Sequence, residues 1–122
     1  MIWHVVLLKP RADLPATERR GLAEAFRRAV TAIPTVRGAR FGRRTTHGAG
    51  YEQHAPDAAA FIAIVEFDDR AGLQAYLAHA AHDELAVLFG QALSAALVYD
   101  FEMLAEGTDG LRGAIEPLIE EP

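Results

Sequence analysis

The stretch Met1-Ile2-Trp3-His4-Val5-Val6-Leu7-Leu8-Lys9-Pro10 decides how the rest of the chain is read. Apolar side chains stand at nearly every position from Ile2 to Leu8, and Pro10 closes the run because it cannot donate to a strand ladder. The run is too short to span a membrane and lacks the basic start and small-residue cleavage site of a signal peptide. It reads as a first strand over residues 2–9. A strand apolar on both faces is a strand covered on both faces.

Outward from it, the pattern alternates between helix and strand. Asp13-Leu14-Pro15 opens a helix, with Asp13 as cap and Pro15 in the first turn. Leu22, Phe26, Ala29 and Ile33 then recur at helical spacing, and Pro34 ends the element. A second strand is expected over 36–45, with arginines at 37, 40, 43 and 44. The polar, glycine-containing stretch from His47 to Asp57 reads as a long loop. The third strand, over 58–67, alternates Phe61, Ala63, Val65 and Phe67 with Ile62, Ile64 and Glu66.

Asp68 and Asp69 cap a second helical region carrying Leu73, Tyr76 and Leu77. His79-Ala80-Ala81-His82 interrupts it, and Asp83 and Glu84 favour a fresh helix start before Leu85, Leu88, Phe89, Ala92 and Leu93. The last strand, over 96–104, alternates Leu97, Tyr99, Phe101 and Met103 with Val98, Asp100 and Glu102.

The resulting order, β-α-β-β-α-β, is the α+β, ferredoxin-like sandwich with a four-stranded antiparallel sheet. One layer of helices covers only one face of such a sheet, yet strands one and three are apolar on both. The same sheet of a second copy is the simplest cover, so the chain is expected to form a homodimer, a dimeric α/β barrel. Residues 1–104 form the domain and 105–122 a tail. In that tail Leu111, Ile115, Leu118 and Ile119 are expected to dock as a short amphipathic turn, with Pro117 preventing a long helix.

Composition narrows the function. At 122 residues, 51% hydrophobic and 24% charged, the chain fits one globular domain. The absence of cysteine excludes disulfides, thiolate zinc sites and a cysteine nucleophile, and fits a cytoplasmic location. A net charge of −5 argues against nucleic acid as a partner. The arginines of the second strand are read as guards of a sheet edge rather than an anion site. Glu66 and Asp100 are assigned to hydrogen bonds between strands or subunits.

Four pieces of this sequence together resemble the stress-responsive A/B barrel (Dabb) family. They are the initial strand His4-Val5-Val6-Leu7-Leu8-Lys9, the strand end Val65-Glu66-Phe67, the helical Tyr76-Leu77-Ala78-His79-Ala80-Ala81-His82, and the closing Tyr99-Asp100-Phe101. The resemblance covers about residues 2 to 103, with Ala80 where the family usually has proline. It implies a dimer in which two sheets face each other. One plant branch is a polyketide cyclase that closes a linear tetraketide by aldol condensation without metal or cofactor. Of the pocket residues of that branch, His4, Tyr76 and His82 match, while Phe61 stands in place of a third-strand histidine.

His82, Tyr76 and His4 are therefore the candidate catalytic residues, and Phe61, His79, Phe26, Leu73 and Phe89 the candidate ligand contacts. A neutral imidazole at His82 can take a proton from carbon beside a carbonyl, and the Tyr76 hydroxyl can hold the developing enolate. The expected ligand is a small apolar or carbonyl-containing molecule between helices and sheet, with no cofactor. Each residue has a plainer reading: His82 as a helix-start residue, Tyr76 as a core aromatic, His4 as a satisfied strand histidine. Those readings describe a non-catalytic, stress-protective assembly module. A weaker third reading, permitted by Trp3 and the histidines, is a cofactor-independent oxygenase or haem-binding relative. His79 and His82, even with His47 and His54 in the loop, present no convincing third ligand, so no metal is expected.

Overall fold

The computed structural model describes residues 1–120. Its elements are β1 (Ile2–Pro10), α1 (Ala16–Ala32), β2 (Gly38–Arg43), β3 (Phe61–Phe67), α2 (Arg70–Ala78), α3 (Ala80–Ala92), β4 (Leu93–Glu102), α4 (Leu111–Ala114) and α5 (Glu116–Glu120). A 3₁₀ turn over Gly50–His54 lies in the long loop. The strands form one sheet in the order β2-β3-β1-β4, each neighbouring pair antiparallel. This is the ferredoxin-like arrangement, with the two apolar strands at its centre.

Strand register explains what those strands bury. His4 lies between Val65 and Asp100, Val6 between Ala63 and Val98, and Leu8 between Phe61 and Ala96. Paired residues share a face, so these rows point together toward the helices. His4, Val6, Leu8, Ala63, Val65 and Phe67 are all buried there, and Ala25, Ala29, Leu73 and Tyr76 close over one part of them. Trp3, Val5, Leu7, Ile62 and Ile64 occupy the opposite face and stay half-buried, while Tyr99 and Phe101 beside them are each 52% exposed.

β2 is an edge strand, as its arginines suggested. Arg40 Nε donates to Glu66 Oε1 at 2.8 Å across β2 and β3, and its guanidinium lies 5.6 Å from the Trp3 ring centre. Arg37 Nε donates to Asp68 Oδ2, also at 2.8 Å. Glu66 thus takes the inter-strand role expected of it.

Several local expectations need correction. Asp13 does not cap α1: Pro15 is the N-cap residue, extended at ψ 153°, and no side chain caps the helix. Proline holds Leu14 outside helical geometry, so α1 starts only at Ala16. β2 and β3 are shorter than expected, because pairing ends at Arg43 opposite Phe61. β4 begins at Leu93 rather than Ala96 and ends at Glu102. Pro34 does end α1, leaving Ile33 extended as its C-cap.

The tail does not dock as expected. Among its described residues, α4 and α5 bury no side chain, and Leu118 and Ile119 are 82% and 74% exposed. Two turns of four and five residues present too little contiguous apolar area to hold themselves on the body. Residues 121 and 122 of that tail lie outside the described residues.

Candidate functional site

A single residue sets the geometry. α2 stops at Ala78 and α3 starts at Ala80, with His79 extended between them at φ −76° and ψ 144°. The fresh helix start lies at Ala80, not at Asp83 and Glu84, because the His79 ring accepts a hydrogen bond from the Ala81 amide and caps α3 itself. Six residues along an unbroken helix would set two side chains about 120° apart around its axis. With the break, Tyr76 and His82 instead meet, their ring centres 4.8 Å apart.

β1 brings the third group. His4 is 6% exposed, and its ring centre lies 5.9 Å from that of Tyr76. A buried imidazole without a partner would be costly. Here Nδ1 donates to Asp100 Oδ1 at 2.6 Å across the β1–β4 pair. A carboxylate only accepts, so this contact places the Nδ1 proton and leaves Nε2 as the remaining ring nitrogen. Asp100 thus has a sharper role than the inter-strand bond expected of it: it orients a site histidine.

Burial tunes the other two groups. Tyr76 is 2% exposed, and burial alone pushes its phenol up to about 12, so the hydroxyl is a donor rather than a base. His82 is held below the ordinary histidine value, first by burial and then by its electrostatic coupling to His4; Asp83 and the Leu77 carbonyl oppose this in part. A lowered value keeps the imidazole neutral and able to accept a proton near pH 7.

These groups share a cavity of about 570 Å³, a size that suits a small organic molecule. It lies between α1, α3 and the sheet and follows β1 from His4 past Val6 and Leu8 to Pro10. Phe26, Phe61 and Phe89 line it. Two expected contacts are not brought to it. Leu73 packs into the core beneath α2 beside Ala29 and Phe67, and the His79 ring faces the Ala81 amide. Helical spacing put Leu73 on Tyr76's side but could not say how deep it would sit.

Of the lining residues not singled out from the sequence, two stand out. Phe41 stacks on Phe61 at 5.5 Å and lies 6.2 Å from Phe26, closing the outer wall. Its place on the inward rhythm of Ala39, Phe41 and Arg43 was the available signal, masked by the surrounding arginines. Arg19, from the first turn of α1, is the other. Among the described residues, no three histidine, aspartate or glutamate side chains gather to hold a metal ion. Nor is any described helix long and apolar enough to cross a membrane.

A sequence model of the stress responsive A/B barrel domain matches residues 2–103. The chain belongs to that family. No curated protein sequence matches this A/B barrel chain. Solved structures do share its fold. A protein from Arabidopsis thaliana is 20% identical with a TM-score of 0.72, the match covering 88% of this chain and 99% of that one. A dimeric ferredoxin-like protein of unknown function from Thermobifida fusca is 20% identical with a TM-score of 0.65, over 84% of this chain and 90% of that one. A hydroxynitrile lyase from Passiflora edulis is 13% identical with a TM-score of 0.70, over 87% and 95%. At these identities the likeness shows the fold alone, and the chemistry of the A/B barrel must be argued from its own cavity.

Proposed function

We propose that this A/B barrel protein is a cytoplasmic homodimer that binds a small, largely apolar, carbonyl-containing molecule and transforms it by cofactor-free proton transfer of the aldol kind. The observation that carries the reading is the convergence of His4, Tyr76 and His82 at one end of an otherwise mostly apolar cavity. Neutral His82 takes a proton from carbon next to a ligand carbonyl. The Tyr76 hydroxyl donates to the resulting enolate oxygen. The enolate carbon attacks a second carbonyl of the same molecule, and the alkoxide so formed takes the proton back from the His82 imidazolium. His4, oriented by Asp100, turns Nε2 as an acceptor toward a hydroxyl of the ligand.

The hydroxynitrile lyase among the structural neighbours supports an enzyme reading of this fold. Phe61, stacked on Phe41, makes its wall of the cavity apolar, which favours a less oxygenated ligand than a tetraketide. The homodimer reading is supported by the half-buried apolar face of β1 and β3 and by neighbours described as dimeric.

Deuterium exchange at the activated carbon of a medium-chain 2,4-diketone, followed by NMR in D₂O, tests the chemistry. The protein is expected to speed exchange saturably, and His82→Gln to lower that rate by about a hundredfold. Saturable binding without exchange would leave a binding protein. With neither, the non-catalytic assembly module is the better account.

A further inference from the structure

The proton-transfer reading gives no task to Arg19. Its guanidinium is fastened at one place: Nε donates to the Leu14 carbonyl at 3.0 Å and Nη2 to the Arg11 carbonyl at 3.3 Å. That leaves three of the five N–H donors of an arginine. The turn holding it directly follows Pro10, whereas His4 lies at the other end of the same lining strand. Six residues of strand separate those ends by about 20 Å at roughly 3.3 Å per residue.

The charges at the Pro10 end are unbalanced. Arg11, Arg27, Arg28, Arg37 and Arg40 each have a carboxylate within ion-pair distance. Among the described residues Arg19 has none, nor do Arg20, Arg43, Arg44, Arg70 and Arg112, but of these Arg19 is the one that lines the cavity. The acids of its turn, Asp13 and Glu18, lie 3.8 and 3.7 Å from Arg11 instead. Arg43 strengthens the asymmetry. It pairs with Phe61, which pairs with Leu8, so it stands on the cavity side of the sheet toward this end. Between Arg19 and the His4, Tyr76 and His82 group, the walls are phenylalanine and aliphatic side chains.

We propose that Arg19 is an anion subsite, and that the ligand is an elongated oxo acid whose carboxylate meets Arg19 while a remote keto group reaches Tyr76 and His82. The proposal rests on the ligand-binding reading above and names its substrate class. A planar, always charged guanidinium at the rim of an apolar chamber suits a carboxylate, since each remaining N–H bond is charge-assisted.

Calorimetric titration with 11-oxododecanoic acid and with its methyl ester tests it on the whole protein. The acid should bind at least about tenfold more tightly than the ester, the effect of one charged hydrogen bond. Arg19→Gln should bring the acid down to the ester's affinity and leave the ester unchanged. Arg19→Lys should keep part of the preference, which separates lost charge from a disturbed turn. His82→Gln, at the other end, should keep all of it. Equal binding of acid and ester by the native protein, or a preference that survives Arg19→Gln, overturns the anion subsite while the cavity reading stands. Absence of binding by both compounds overturns the two together.

Discussion

His4 and Asp100 face each other across β1 and β4, with Nδ1 and Oδ1 2.6 Å apart, and this contact satisfies a buried imidazole. Removing the acceptor leaves an imidazole N–H in an apolar setting. Asp100→Ala should therefore cost about 1–2 kcal/mol in urea unfolding, discounted for the half-exposed carboxylate. Glu102→Ala, an exposed position on the same strand, should change stability by less than about 0.5 kcal/mol. Equal effects would show that His4 finds its partner elsewhere.

His82 should titrate below the ordinary histidine value of about 6.5, seen as a lowered midpoint of its ring proton shifts in NMR. Because part of that lowering comes from His4, His4→Asn should move the midpoint back up. The sign for stability follows. Between the lowered folded value and about 6.5 the unfolded chain holds the extra proton, so stability falls as pH drops through that window. His82→Gln should flatten this acid limb.

Tyr76 carries the opposite sign. Its phenol ionises near 12 in the folded protein and near 10 when unfolded, so the contribution is complete below about pH 10 and is lost as pH rises toward 12. Phenolate absorbance should show one tyrosine ionising only close to pH 12. Tyr76→Phe should abolish that late step and slow diketone exchange by about a hundredfold, the usual effect of losing one oxyanion donor.

The open sheet face should hold two copies together. Tyr99 and Phe101 are exposed in the protomer, so Tyr99→Lys with Phe101→Lys should leave the protomer folded. In analytical ultracentrifugation the native chain should sediment as a dimer at micromolar concentration and the double variant as a monomer. A monomeric native chain would sink the association outright.

Because α4 and α5 bury no side chain, a chain ending at Leu104 should keep its unfolding midpoint within a few degrees. Differential scanning calorimetry checks this. A large drop would mean that the tail packs in solution.

Much of this architecture was legible in the sequence, for reasons that differ by element. β1 and β3 announced themselves through apolar residues on both faces, a pattern few other elements produce. Asp69 signalled the start of α2, where its side chain does accept from the Gly72 amide at 2.9 Å. The ends of β2 and β4 were hidden, because partner register rather than local propensity sets where a ladder stops. At the site, His4, Tyr76 and His82 were legible as residue types whose chemistry suits a pocket. Depth was not: nothing in the spacing of Leu73 distinguishes a core position from a cavity wall. Asp100 was legible as an inter-strand hydrogen-bonding residue, but its tie to His4 and the place of Arg19 were hidden for another reason. Their partners lie in distant strands or are main-chain carbonyls, and neither leaves a mark in local sequence.

The lone extended residue between α2 and α3 has an evolutionary consequence. Tyr76 and His82 face each other only because the chain pauses once, at His79, between them. The pairing is thus written in a count of residues as much as in the identity of the paired groups. A one-residue insertion or deletion near position 79 would swing the imidazole around its helix and disarm the pair, with every site residue still present. Relatives of this chain that keep both groups but alter the length of the connection should be treated as having lost the arrangement, while those that preserve the length and vary the cap should retain it.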